Sequence, residues 1–524
     1  MKWDFPYPSQ RMPVFARNVV ATSQPLAAQA GLQMLQRGGN AVDAAIATAI
    51  CLTVVEPNNN GIGSDAFAII WDGTKLHGIN GSGRSPAGWA LDRFKGRSEM
   101  PIFGWDAVTV PGCVDVWATL SKRFGKLPFE DLFEPAIRYA TDGFLVSPIT
   151  SWQAIVERFK DFPEWQATFA PNGRAPGIGE LFKAPNHAKT LKEIAKTRGE
   201  SFYRGELAAK ILAASKEAGG AMSLDDLSSH KSEWVEPIAQ EYRGLHLHEI
   251  PPNGQGLAAL IALGVLRHLD VAAHSVDSIE SVHLQIEAMK VGVVEASRHI
   301  ADPSHMTTSA SELLDKKFLK SKAERIDIHR SAMLQAAALG SSDTVYLTTA
   351  DASGMMVSFI QSNYRGFGSG VVIPGTGISM QNRGHGFVTT PGHPNCVGPR
   401  KKPYHTIIPG FVTRDGRPVM SFGVMGGHHQ PQGHVQMMVR MFDYQQNPQA
   451  AIDAPRWHVW KDMSIDLERG ISSAVRDGLI ARGHRIHDES KEPTYFGGAQ
   501  AIVKLDDGYC AASEPRKDGH AVGF

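Results

Sequence analysis

The sequence predicts an α+β fold in which an antiparallel sheet core is covered by helices, and three observations carry that reading. The first two thirds of the 524 residues are dominated by helical patterns. Past Asp343 the apolar pattern changes period and reads as β-hairpins. Helices flank those hairpins on both sides in sequence, so they are available to cover a sheet.

Taken in order, Leu26 to Arg37 (LAAQAGLQMLQR) is helical by composition and stops at Gly38-Gly39. A second helix starts after Asn40, a good N-cap, and runs through AVDAAIATAICLTVV to the break at Glu56-Pro57; its alanines suit close helix packing. Further helices are predicted at 114–125, 130–142, 186–198, 206–218, 255–269, 276–299 and 310–323. From about Ala301 to Asp343 the chain is polar and irregular and ends in LGSSD, which reads as a surface segment and divides the chain into 1–343 and 344–524. Thr344 to Asp351, the turn Ala352-Ser353-Gly354 and Met355 to Asn363 form the first predicted hairpin. His405 to Thr413, Arg414-Asp415-Gly416 and Pro418 to Met425 form the second. Helices at 432–442, 447–452 and 470–482 and a last hairpin over roughly 484–512 complete the chain.

Composition removes several function classes. Lys plus Arg and Asp plus Glu both number 53, and only 20% of residues are charged, so no field exists to gather a polyanion and neither nucleic acid nor an anionic membrane surface is expected as a partner. Cys51, Cys113, Cys396 and Cys510 make neither a disulfide framework nor a CxxC metal motif, which fits a reducing compartment. Prolines at 6, 8 and 13 stand where a secretory apolar segment would lie, and the longest apolar run, Ala44 to Val55, is far short of the ~20 residues of a spanning helix. The expectation is a soluble cytoplasmic protein.

No GxSxG elbow, HExxH, P-loop or GxGxxG after a strand is present. Six histidines fall between 385 and 434, including His428-His429, but adjacent side chains point apart and no carboxylate sits at ligand spacing. Neither a metal nor a cofactor is predicted. Glycine is the compositional excess: 28 of the 52 lie in the first 343 residues and 24 in the last 181, so the C-terminal part needs the most bare backbone.

A set of collinear segments carries more information than composition. They are GGNAVDAAIATAICLTVVEP at 38–57, NNNGIGSDAF at 58–67, DTVYLTTADASG at 343–354, GFGSGVVIPGTGISMQN at 366–382, GPRKKPYHTIIPG at 398–410, GVMGGHHQPQGHVQ at 423–436, DAPRW at 453–457 and SEPRKDGHAVGF at 513–524. Together they resemble the γ-glutamyltransferase family of N-terminal-nucleophile hydrolases, over nearly the whole chain. The resemblance implies a four-layer αββα sandwich and a precursor that cuts itself before a threonine. The new α-amine, with a pKa near ~8, then serves as base for that threonine's own hydroxyl. The family's register lands on Thr344, with cleavage between Asp343 and Thr344. It also implies an oxyanion hole at Gly426 and Gly427, and a hydroxyl at Ser362, usually threonine, bonded to the nucleophile. The two fragments would remain one intertwined body, acting on a small-molecule amide; the sequence leaves further oligomerisation open.

Other family positions are changed here. Ser82 stands where a carboxylate-binding arginine is expected, with Arg84 two residues on; the amide and acid of the substrate loop become Arg383 and Gly386; an amino-group ligand becomes Tyr364; paired hydroxyls become His405 and Thr406. No glutamate occurs between Thr344 and Leu467, whereas Arg84, Arg365, Arg383 and His405 are all available to an anion. The expected acyl donor therefore carries a carboxylate and lacks an α-ammonium, as in oxamate or a glutaryl amide, with a γ-glutamyl donor as the alternative. A non-catalytic, uncleaved binder of the same fold is the competing class, and joint retention of Thr344, Ser362, Gly426 and Gly427 favours the enzyme.

Overall fold

The computed structural model describes residues 10–332, 343–487 and 493–524. Most of LGSSD, together with part of the predicted last hairpin, falls outside the described residues.

Two apolar helices explain much of the architecture. Every residue of Ala41–Val55 is buried, and so is every residue of Gly256–Leu266. A helix that is apolar all round must be covered on all sides, which places each of these inside a layer. Ala41–Val55 is started by a capping box between Asn40 and Asp43, and its first N–H, on Ala41, is bonded at 2.7 Å by Asp351 from the turn of the first hairpin.

Between the helical layers lie two seven-stranded antiparallel sheets. One runs in the order Val14–Ala16, Gly508–Ser513, Gly498–Leu505, Arg417–Met425, Gly410–Arg414, Leu245–Glu249, Ile238–Tyr242. The other runs His520–Gly523, Val19–Thr22, Asp343–Ala350, Met356–Tyr364, Asp65–Trp71, Leu76–Asn80, Glu233–Val235. Both sheets mix strands from 1–343 with strands from 344–524, so neither segment owns a complete sheet.

The period of two along each strand assigns the layers. In Asp343–Ala350, Val345 and Leu347 join the core under Ala41–Val55, whereas Tyr346 and Ala350 join the core between the sheets with Phe67, Phe411 and Ile502. On the far sheet, Val412, Met420, Phe422 and Val424 face the core around Gly256–Leu266 and Ile279–His299. The result is helix, sheet, sheet, helix, as the sequence predicts. Thr344, two residues before Tyr346, shares its parity and faces the space between the sheets.

Several predicted elements differ in detail. The stretch 310–323 is two short helices, Ala310–Leu313 and Lys316–Ala323. The second hairpin begins at Gly410 and not at His405, because His405 N–H and C=O bond to Asn253 and Gln255 and draw that segment out of the ladder. The last hairpin is Gly498–Leu505 with Gly508–Ser513. Strands in the first 343 residues were not individually predicted: Asp65–Trp71 is buried on both faces and so shows no alternation. Among the described residues no helix is long and apolar enough to cross a membrane.

Candidate active site

The first hairpin positions the predicted nucleophile. Asp343 pairs with Tyr364 and Val345 with Gln361, a register shift that places Thr344 beside Ser362 at the end of the ladder. The Thr344 hydroxyl donates to Ser362 Oγ at 3.2 Å, and Ser362 Oγ also accepts from the Tyr364 N–H at 2.8 Å. Gln430 points its Nε2 at Thr344 Oγ1 from 3.4 Å, held by the Ile408 N–H on its Oε1 at 3.0 Å. Gln430 was not foreseen in the sequence, although it lies three residues beyond the glycine pair.

Gly426 and Gly427 join strand Arg417–Met425 to helix Gln430–Phe442, with φ of 128° and 60°. A side chain at either position would be strained, so glycine is required by the backbone here. The pair opens into a helix start, where backbone N–H groups lack intrahelical acceptors and favour negative charge. Gln255 fixes the pair from behind, donating to Gly427 O at 2.7 Å and to Thr406 O at 2.5 Å.

Arg383 lies behind this group and is 1% exposed. Its Nη1 donates to Thr406 Oγ1 at 2.6 Å, while Nε and Nη2 have no hydrogen-bond partner among the described residues. Its guanidinium stacks over the Tyr364 ring, 4.8 Å from the centroid. Burial pushes its pKa down to about 10, opposed by nearby Asp65, so it remains a cation at neutral pH.

Asp65 is the acid that reasoning on 344–524 missed, because the first segment supplies it. Burial raises its carboxyl to about 7, against the pull of Arg383 and of N–H groups on Gly112 and Gly83. Its oxygens are already engaged: Oδ1 accepts from Gly112 N–H at 3.0 Å, and Oδ2 meets His405 Nε2 at 3.0 Å. Burial, followed by Arg383 and Lys402, holds His405 well below the ordinary histidine range, so its imidazole is neutral. Ile407 N–H approaches Nδ1 at 3.4 Å, which leaves Nε2–H to donate to Asp65. His405 is thus turned to Asp65 and Phe67.

Ser82 and Arg84 line a cleft of about 220 Å³ with Lys402 and Glu233, and its walls do not include Arg383. Ser82 Oγ donates to Asn80 Oδ1 at 2.7 Å. Arg84 pairs there with Asp302 at 2.8 Å and Glu233 at 3.3 Å. Tyr364 and Gly386 instead line a cleft of about 210 Å³ with Arg365, Tyr404, His428 and Lys461.

The six clustered histidines disperse to different partners, among them Asp65 for His405, Glu249 for His434 and the Met100 carbonyl for His385. Elsewhere His283, Glu287 and His484 converge as a metal site could, but Lys290 Nζ stands among them, 2.8 Å from Glu287 and 3.2 Å from His484. A lysine cation already supplies the positive charge that site would hold.

Comparison with known proteins matches this geometry to a family. The sequence profile described as gamma-glutamyltranspeptidase matches residues 27–524. The chain is 36% identical to the glutathione hydrolase-like YwrD proenzyme of Bacillus subtilis, over 97% of this chain and 98% of that one. It is 34% identical to the oxamate amidohydrolase proenzyme of Klebsiella pneumoniae, over 95% and 97%. A crystal structure of cephalosporin acylase from Bacillus halodurans superimposes with a TM-score of 0.95 at 46% identity, covering 100% of this chain and 99% of that one. The chain belongs to the γ-glutamyltranspeptidase family and is an autoprocessing amidohydrolase or acyltransferase of the N-terminal-nucleophile type.

Proposed function

We propose that the precursor cuts itself between Asp343 and Thr344, and that Thr344 then cleaves the amide of a small acyl donor carrying a carboxylate but no α-ammonium. The α-amine of Thr344 takes the proton of its own hydroxyl, and Oγ1 adds to the amide carbonyl carbon. The oxygen, now negative, is received by the N–H groups of Gly426 and Gly427. On collapse the C–N bond breaks and the amine departs with the proton held by the α-ammonium. Water, or a second amine, then attacks the ester on Thr344 and frees the acyl group and the nucleophile. Ser362 and Gln430 orient the hydroxyl through the bonds described above.

One observation carries the choice of donor: Arg383 is buried with two unfilled donors, while the nearby acid, Asp65, has its oxygens occupied. A buried guanidinium with unmet donors calls for a planar anion. A substrate ammonium would instead need free acceptors, which Asp65 does not offer. Gly386, where the family carries an acid, adds none. Oxamate and glutaryl amides fit this reading; among the similar proteins one is named an oxamate amidohydrolase and another a cephalosporin acylase. The buried cysteines Cys51, Cys113 and Cys510 are free thiols, which supports a reducing, cytoplasmic location.

A denaturing gel and a release assay test this together. Wild type should show two fragments, the smaller beginning at Thr344, and should release ammonia from oxamate or amine from a glutaryl amide in preference to a γ-glutamyl amide. Thr344→Ala should stay intact and inactive. A wild-type chain that turns over only the γ-glutamyl amide would overturn the donor reading while leaving the nucleophile in place.

A further inference from the structure

Thr344 and the glycine pair belong to different sheets, so their separation is set by how strand Asp343–Ala350 lies across strand Arg417–Met425. Sheets stacked at ~10 Å through apolar side chains have no directional contact that fixes their slide. Here the contact is directional. Tyr346, Thr348, Ser358 and Ser421 are all fully buried. The Thr348 hydroxyl donates to Val357 O at 2.9 Å, so its 2.6 Å contact with Ser421 Oγ is a bond donated by Ser421 from the facing sheet. The Ser358 hydroxyl donates to Phe422 O at 3.3 Å, which leaves the Tyr346 hydroxyl to donate to Ser358 Oγ at 2.7 Å. The Tyr346 ring lies on Gly423, where an added Cβ would overlap it. Gly423 sits in a strand and has no positive φ, so its bare Cα is required by the ring and not by the backbone.

These contacts share one register. Tyr346 meets Gly423 and Thr348 meets Ser421, a step of two on each strand in opposite directions. One step further back pairs Thr344 with Met425, the residue before Gly426, and Gln430, three residues after Gly427, does reach Thr344 Oγ1. We infer that Tyr346, Thr348, Ser421 and Gly423 are positioning residues, which lock the slide of one sheet over the other and so hold the nucleophile at its working distance from the glycine pair. Buried hydroxyls are costly without partners, so this set tolerates one relative placement of the strands where apolar side chains would tolerate several. The inference rests on the reading of Thr344 as nucleophile and of Gly426 and Gly427 as the oxyanion site.

The test uses the processed enzyme with whichever of oxamate, a glutaryl amide and a γ-glutamyl amide wild type turns over. In Ser421→Ala and in Thr348→Val, kcat should fall about tenfold with KM within about twofold, since a small misplacement slows the chemical step and spares binding. Thr348→Ser, which keeps the hydroxyl and loses the methyl, should stay closer to wild type than the isosteric Thr348→Val; a role in packing alone gives the opposite order. Thr348→Val/Ser421→Ala should lose no more than either single variant, because the two remove one bond. Gly423→Ala should lose more, and Tyr346→Leu added to it should return part of the loss. Unchanged kcat in the hydroxyl variants, additive losses, or Thr348→Val more active than Thr348→Ser overturns the inference. Thr344→Ala separates the two readings: if it is inactive while the hydroxyl variants keep full kcat, the lock alone falls, and if it is active, the nucleophile reading falls and the lock with it.

Discussion

Arg84 lines one cleft with its side chain 44% exposed and its guanidinium on Asp302 and Glu233, whereas Arg383 is 1% exposed and, among the described residues, its guanidinium has Thr406 as its one hydrogen-bond partner. Both were candidates for holding a substrate carboxylate. In water a paired guanidinium is nearly neutral in its effect on stability, typically within ~1 kcal/mol. A buried one with unmet donors costs several kcal/mol unless a ligand completes it. On the proposed reading, the difference teaches that the arginine to test first is the one that the fold leaves incomplete, and not the one with the most visible charge partners.

The largest break in that comparison should come from Arg383→Leu. Removing a desolvated arginine–carboxylate contact is worth about 3 kcal/mol, so kcat/KM on a glutaryl amide should fall about 100-fold or more. Steady-state kinetics on the processed enzyme checks this. Self-cleavage on a gel should persist, because Arg383 is assigned to substrate and not to the Thr344 hydroxyl. Loss of processing together with loss of activity would instead make Arg383 a structural cation.

A smaller effect sharpens the same contrast through Asp65. Its carboxyl is raised to about 7 by burial, so near neutrality it loses charge as the pH falls. An ionised Asp65 opposes an anion placed on Arg383, and protonation removes that opposition. The inhibition constant of glutarate should therefore tighten by roughly tenfold between pH 8 and pH 6, the scale of one charge acting through an effective dielectric near ~20. In Asp65→Asn the pH dependence should flatten. The stability sign agrees with the same shift: the native state holds a proton that the unfolded chain releases near ~3.9, so this contribution is present in acid and is lost as the pH rises through about 7. The melting temperature of Asp65→Asn relative to wild type should accordingly improve from pH 5 to pH 8.

The nucleophile hairpin was legible because it is local. Thr344, Asp351 and Ser362 sit within one strand–turn–strand unit whose register follows from alternation and a glycine turn. The glycine pair was legible through the motif that the chain shares with its family, and the structure gives it a backbone reason in its positive φ. Asp65 and Gln255 were not legible, since each reaches the site across the fold, from 340 residues before His405 and 172 before Gly427. The surroundings of His405 were not legible for a related reason: the side chain's direction depends on Asp65 and Phe67, which a one-dimensional pattern does not bring together. Arg84 and Ser82, two residues apart in sequence, stay together in the fold and line one cleft, which a pattern of residues does not distinguish from the surroundings of Arg383.

Arg84→Ala is the smallest expected effect and the sharpest control. Burial pushes the Asp302 carboxyl up, but the Lys402 N–H and the Ser304 hydroxyl and N–H more than offset it, and Arg84 is the last of the groups that hold it down. With Arg84 gone, Asp302 still accepts from Lys402 N–H at 2.9 Å and from the Ser304 hydroxyl at 2.7 Å. The buried Asp302 loses its ion pair but keeps these hydrogen bonds, so the stability change should stay at about 1–2 kcal/mol. Catalysis on the glutaryl amide should stay within about twofold of wild type, because the guanidinium is directed to Asp302 and Glu233 and not toward Thr344. Thermal melting and kcat/KM on one preparation check both statements. A loss in kcat/KM comparable to that of Arg383→Leu, at unchanged melting temperature, would mean that the two clefts share one substrate and that exposure and pairing do not distinguish the arginines.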